Sequence, residues 1–365
     1  MDAATTGRGA RVVLPGQAPD GTPILSVLLK RTFEIVSGGT CTLAEQDRPL
    51  LPGDQYWDDP ATTSVRYESD FIPYKPGTDV VLDAVAYAPG GAPSRGFLAS
   101  LQLNKVKKQI AVIGDRVARY VANAAPSFSE PAPFTRMELR YERAYGGTDV
   151  YSDPKCPYPY PRNPLGRGFV VRNTPKSVDG LALPSLEDPA ELLSPTTLCL
   201  EEYGAWENRQ MPVGFGWFPK PWIPRALLAG IMPGDRATEQ QLRNAYAELL
   251  SGEERDAYLK HGIRDMDFHF FNGASAGFAF PYLTGGEWIG AENLTPDGRI
   301  YFQLPEERPR LGLDVGEGVR EAEVALHTVQ IRMEDRQVDL VWRGAVPYSG
   351  MDWLPEMKRL EIFVA

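Results

Sequence analysis

Ser275 stands at the centre of Gly273-Ala274-Ser275-Ala276-Gly277, the G-x-S-x-G spacing at which α/β-hydrolases present a nucleophile. That chemistry needs a strand before the serine and a helix after it, so that the hydroxyl is exposed on a sharp turn. Here Phe278-Ala279-Phe280-Pro281 follows, and the proline forbids helix continuation, so these residues read as a small-residue loop. Asp265, Asp267 and His269 alternate, which would set three ligands on one strand face. Metal sites gather further ligands and partners, and only His261 lies near in sequence. A solvated strand edge or loop is the simpler reading. Asp58-Asp59, Glu187-Asp188 and Glu201-Glu202 pair carboxylates as acid–base catalysis does, but acidic residues are abundant throughout this chain. No Walker loop and no G-x-G-x-x-G after a strand occurs. No cofactor or small-molecule substrate is expected. A hydrolase using Ser275 or the Asp265/Asp267/His269 group stands as the enzymatic alternative.

A second group of residues has the chemistry of protein–protein contact. Arg140, Arg143, Arg162 and Arg167 lie among Tyr145, Tyr158, Tyr160 and Phe169, and Arg, Tyr and Trp are enriched at interface hot spots. Trp217 and Trp222 belong to MPVGFGWFPKPWIPR, Met211 to Arg225, where four prolines and four aromatics fall within fifteen residues. The partner-binding candidates are therefore Arg143, Tyr158, Tyr160, Arg162, Arg167, Trp217 and Trp222. The competing expectation is that the arginines pair with Glu138, Glu142 and Asp149 and hold the loop to its own core.

The elements that must position these residues are mainly strands. Leu25, Val27, Leu29, Phe33 and Ile35 share one phase and Lys30, Thr32 and Glu34 the other, a strand with one dry face on which Arg31 is a misfit. Thr40 to Leu43 is its short return strand, and Gln46 to Asp79 is a long loop with one short strand at 64–68. Val80 to Ala88 is apolar on both faces apart from Asp83, which predicts a central strand. Phe97–Leu103 and Val106–Ile113 form a hairpin about Asn104-Lys105. Phe134 begins a strand in which Met137, Leu139 and Tyr141 alternate with charged residues, and from Thr148 to Phe169 the chain becomes a docked loop. Asp188-Pro189 could start a one-turn helix. The Met211–Arg225 segment is too proline-rich for regular hydrogen bonding and reads as an extended strap. Thr238/Gln241 and Ser251/Glu254 have capping-box spacing, so a small helical insert occupies 236–261. Arg299–Leu304 is a strand. Glu323–Met333 and Gln337–Arg343 form a hairpin with a bulge near His327-Thr328, where the apolar phase changes. Leu360, Ile362 and Val364 end the chain in a strand.

The expected class is mainly β: antiparallel sheets, sandwich or barrel-like, with long ordered loops. Segments 1–125, 126–235, 236–261 and 262–365 are an N-terminal β lobe, a loop-rich region, the helical insert and a C-terminal β segment, within one compact unit over 1–365. Its 35 glycines and 33 prolines favour turns over long helices. A net charge of −10 argues against binding to nucleic acid or anionic membranes. Cys41, Cys156 and Cys199 lie far apart, which fits a reducing compartment. Neither a secretory h-region nor an apolar run of membrane-spanning length is visible, so a cytoplasmic location is expected.

Several ordered blocks then carry a resemblance. SVRYESDFIPYKPGTDV, RYERAYGGTD, RNPLGRGF, LPSLEDP, MPVGFGWFPKPWIPR, DFHFFNGA and YLTGGEWIGAENLTPDGRIYFQLP resemble the consecutive motifs of the domain-of-unknown-function 2169 family. The likeness runs from about Leu25 to Pro305; GASAG departs from the more polar, proline-containing segment expected after the asparagine. The resemblance implies a cytoplasmic adaptor or chaperone of bacterial type VI secretion, without enzymatic activity or cofactor. Its implied partners are a secreted effector toxin or PAAR-like tip protein, and the VgrG spike on which these are loaded. A structural spike component secreted with the effector is a further alternative.

Overall fold

The computed structural model describes residues 9–18, 20–72, 74–120, 126–171, 175–198, 209–223, 225–229, 267–314, 319–348 and 361–364. The helices expected at 236–261, together with Asp265, His261 and Cys199, lie outside the described residues.

The principal strands are β1 (Ala10–Gln17), β2 (Pro23–Glu34), β3 (Thr78–Asp83), β4 (Gly96–Leu103) and β5 (Val106–Ile113), then β6 (Trp288–Glu292), β7 (Arg299–Gln303), β8 (Leu311–Asp314), β9 (Val319–Arg332), β10 (Gln337–Pro347) and β11 (Glu361–Val364). Among the described residues a nine-stranded sheet runs β1-β2-β10-β9-β8-β11, with β3 also beside β9. Its pairings are antiparallel except β3 with β9. A five-stranded antiparallel sheet runs from Leu186–Glu187 through β5, β4 and β6 to β7. The chain thus interleaves: β2, read with the N-terminal lobe, pairs along its length with β10 from the C-terminal segment.

The two sheets share one core, as in a sandwich. Leu25, Val27, Leu29, Phe33, Val80, Leu82, Val329, Ile331, Val338 and Leu340 of the larger sheet meet Ala99, Leu101, Ile110, Val112, Ile289, Ala291, Ile300 and Phe302 of the smaller. At about 1.5–3 kcal/mol for each fully buried Val, Leu, Ile or Phe side chain, this layer is the main stabiliser. The hairpins turn where the alternation stops, with Asn104 and Arg336 at φ of 50° and 56°. The β9–β10 register shifts between Leu326 and Thr328, leaving His327 as the extra residue of the expected bulge.

Four expectations change. β2 is buried on both faces: Ser26, Leu28, Lys30 and Thr32 are as closed to solvent as Val27 and Leu29, because the loops pack over them. The strand expected over Val80–Ala88 is two pieces, β3 and Val85–Tyr87, and the latter leaves to pair with Arg136–Glu138. The strand begun at Phe134 is confined to Arg136–Glu138; Met137, Leu139 and Tyr141 are nevertheless all buried. At Asp188 there is a turn rather than a helix, with Glu191 N–H donating to the Asp188 carbonyl at 3.0 Å. No helix among the described residues is long and apolar enough to cross a membrane.

Candidate interaction surface

The second face of the large sheet is polar, and the buried charges Lys30, Lys75 and Arg332 are each matched by a carboxylate there. Lys30 Nζ lies 2.8 Å from Asp70, and Arg332 Nε lies 2.9 Å from Asp339, which also accepts from Thr32 Oγ1 at 2.8 Å. Lys75 Nζ lies 2.7 Å from Asp79 Oδ2 and donates to Thr328 Oγ1 at 3.2 Å. Asp79 accepts as well from Asn272 Nδ2 and the N–H groups of Gly273 and Ala274, each at 3.1 Å. Trp217 Nε1 donates to Gln330 Oε1 at 2.8 Å, and its ring centre is 4.8 Å from Lys75 Nζ. Glu68 meets Lys220 at 2.8 Å and Arg225 at 2.9 Å. Burial opposes the Glu68 charge, but Arg225, Lys75 and Lys220 outweigh it and hold the carboxyl below its ordinary pKa. Gly273 is required here by close approach: an added Cβ would fall 2.5 Å from Arg225 Nη1 and 2.7 Å from Glu68 Oε2. The blocks SVRYESDFIPYKPGTDV, MPVGFGWFPKPWIPR and DFHFFNGA therefore converge to pin the loops on the sheet.

Segment 134–169 closes on itself in a similar way. Tyr145, Tyr160 and Phe169 form part of a second buried cluster, with ring centres 5.3 Å (Tyr145–Tyr160) and 4.8 Å (Tyr160–Phe169) apart. Asn163 Nδ2 donates to the carbonyls of Tyr141 at 2.9 Å and Tyr145 at 3.0 Å. Arg167 and Arg143 converge on Asp115 at 3.0 and 3.4 Å. Burial works against the Asp115 charge, yet the Arg167 and Arg143 guanidiniums hold its carboxyl below the ordinary value. Glu142, one carboxylate expected to pair with these arginines, instead accepts from Ser64 N–H and Oγ at 2.7 and 2.8 Å.

Of the seven candidates, Tyr160, Arg162, Trp217 and Trp222 are buried, with no face to offer a partner in this conformation. Arg162 donates to the Arg209 carbonyl at 2.9 Å, and the Trp222 ring packs edge-on against Tyr141 and Phe218. Arg143, Tyr158 and Arg167 are half-buried. Aromatic and arginine density in a long loop signals an internal core here as readily as an interface.

The catalytic alternatives fare differently from one another. Asp267 caps the short 3-10 helix Phe268–Phe271, and its Oδ1 lies 2.6 Å from His269 Nδ1, so these residues do not alternate along a strand. Among the described residues no group of His, Cys, Asp or Glu side chains is gathered as a metal ligand set. Ser275 is only 2% exposed, but Lys108 Nζ donates to its Oγ at 2.9 Å. Burial pulls the Lys108 ammonium down to about 8, against a weaker opposing pull from Asp188. No sequence signal joins two residues so far apart.

The outer face of the smaller sheet carries the side chains left for a partner. Trp288 and Tyr301 are 45% and 49% exposed. They occupy the phase opposite the buried Ile289, Ala291, Ile300 and Phe302, and Tyr301 lies across Gly290, its cross-strand neighbour. Beside them Glu292 joins Lys107 at 2.9 Å and Arg299 at 3.0 Å. An exposed aromatic pair rimmed by charge is the composition of a contact site. The runs Trp288-Ile289-Gly290-Ala291 and Ile300-Tyr301-Phe302 are apolar on both phases, so no alternation in the sequence marks these two residues as exposed.

The architecture is thus a β-sandwich of two unequal sheets, with its loops locked by buried ion pairs. The family model described as "Uncharacterized protein conserved in bacteria (DUF2169)" matches residues 20–343, and the chain belongs to that family. Comparison with curated proteins and with solved structures gives no match.

Proposed function

We propose that the protein is a non-catalytic cytoplasmic adaptor that binds and stabilises a type VI secretion effector or PAAR-like tip protein and aids its loading on the VgrG spike. The observation that carries this reading is the Trp288–Tyr301 pair, exposed on a sheet whose other face is core. The role implied by the family resemblance agrees with it. An adaptor need only bind the folded form of an unstable partner, which lowers the unfolded population by mass action. Co-expression with a PAAR-like protein or effector encoded beside it should raise that protein's solubility and give a joint gel-filtration peak. Separate elution with unchanged solubility contradicts the reading.

One observation favours a second reading, a hydrolase in which Lys108 is the base for Ser275 across 2.9 Å. Turnover of ester or peptide substrates abolished by Ser275→Ala would select it; an adaptor tolerates that substitution.

A further inference from the structure

A cleft of about 480 Å³ opens on the large sheet between Tyr74, Tyr282 and the segment 307–309, with Val324, Leu326 and Trp342 contributing apolar lining. It lies where the sheet is interrupted: β8 pairs with β9 as far as Ala322, and β3 pairs with it only from Thr328. Arg343 lines this cleft and is 7% exposed. Its Nε donates to Ser26 Oγ at 3.1 Å and its guanidinium lies 5.2 Å from the Tyr74 ring centre. Among the described residues no carboxylate pairs with it.

Every other matched pair on that sheet face obeys the rule that a buried charge keeps a counter-ion: Lys30 with Asp70, Lys75 with Asp79, Arg332 with Asp339. Arg343 departs from it where the face opens into this cleft. Arg308, exposed at the rim, also has no ion pair among the described residues, and Glu307 beside it is taken by Arg31 at 2.6 Å. Glu323 is the acidic group left on the rim; it is solvent-exposed and does not come within ion-pair distance of Arg343. The neighbouring His327 is held neutral by burial, with Lys75 and Arg343 adding to the effect, so the local field is positive.

We propose that this cleft is a carboxylate subsite. Arg343, backed by Arg308, takes an acidic side chain or the terminal carboxylate of a polypeptide, and apolar neighbours of that group rest on the Tyr74 and Tyr282 rings. A guanidinium fork matches a carboxylate in shape as well as charge. That the anion comes from a polypeptide rests on the adaptor reading; the need for an anion does not.

Isothermal titration of the full chain provides the test. The probes are a capped pentapeptide with glutamate between leucines, its capped glutamine counterpart, the glutamine peptide with a free C-terminal carboxylate, and inorganic phosphate. One or both of the carboxylate peptides should bind at least about tenfold more tightly than the capped glutamine peptide. Which of them does so identifies the source of the group. Arg343→Met should abolish the difference. Arg308→Gln, at an exposed position, should reduce it without shifting the melting temperature, and keeps the test open if Arg343→Met fails to fold. Equal binding of charged and neutral peptides, or a preference that survives Arg343→Met, overturns the proposal. So does binding of phosphate with no preference among the peptides. Peptide preference without partner co-elution would remove the adaptor reading and leave the subsite; co-elution without peptide preference would do the reverse.

Discussion

Lys75 Nζ sits 2.7 Å from Asp79 Oδ2, and the two side chains are 3% and 0% exposed. They are four residues apart in the chain but join the loop that covers the sheet to the first residues of β3. Asp79 has further donors in Asn272, Gly273 and Ala274, whereas Lys75 has Asp79 as its only charged partner at salt-bridge distance among the described residues. Asp79→Ala should therefore cost about 3–5 kcal/mol, since it leaves a buried ammonium uncompensated. Lys75→Met should cost less, because the backbone and amide donors still satisfy the carboxylate. Urea denaturation midpoints of the two variants check the order, and equal losses would count against it.

Glu68 gives the fold an acid limit. Its folded pKa lies below the value of 4.5 that applies when it is unfolded. Its contribution is accordingly present above pH 4.5 and is lost as pH falls through the folded pKa. Glu68→Gln should be less stable at neutral pH and should show a flatter decline of melting temperature in acid.

Lys108 moves stability in the same direction with pH, but as a burial penalty that is relieved rather than a favourable contribution that is gained. Its pKa falls from 10.5 in the unfolded chain to about 8, so between these values the unfolded state binds more protons and stability rises with pH. Wild type minus Lys108→Met, compared by denaturation at about pH 7 and about pH 9, should show that rise. An unchanged difference would mean that the ammonium is solvated.

These groups also show where sequence reasoning reaches its limit. Hairpins about Asn104 and Arg336, and the bulge at His327, were legible because alternation and its interruption are local. Lys30 and Thr32 read as a solvated phase because their partners Asp70 and Asp339 lie 40 and 307 residues away. A separation of 167 residues likewise hid Lys108 from Ser275. Arg162, Tyr160, Trp217 and Trp222 had interface chemistry but not interface position, which depends on what the loops fold against. Trp288 and Tyr301 were not singled out by the sequence, because their strands carry apolar residues on both phases and only the packing of the sheet shows which side is solvated.

Gly146 should not tolerate a side chain. Its φ of 146° is one that glycine favours, and an added Cβ would fall 2.1 Å from the Asn163 carbonyl oxygen. Gly146→Ala should destabilise by about 1–3 kcal/mol by forcing Asn163 away from Tyr141 and Tyr145. A melting temperature equal to wild type would show that the two segments can separate without loss.

Trp288→Ala and Tyr301→Ala should leave stability within about 0.5 kcal/mol of wild type, as surface substitutions do. If this face binds the partner, each should instead weaken the complex by about 2 kcal/mol or more. Isothermal titration with the purified partner separates the two effects.

The most direct measurement is co-expression of the wild-type chain with a PAAR-like protein or effector encoded beside it, followed by gel filtration. A joint peak, a more soluble partner and loss of both in the folded Trp288→Ala/Tyr301→Ala variant are predicted. Separate peaks for the wild-type pair, with the partner no more soluble than when expressed alone, would contradict the account.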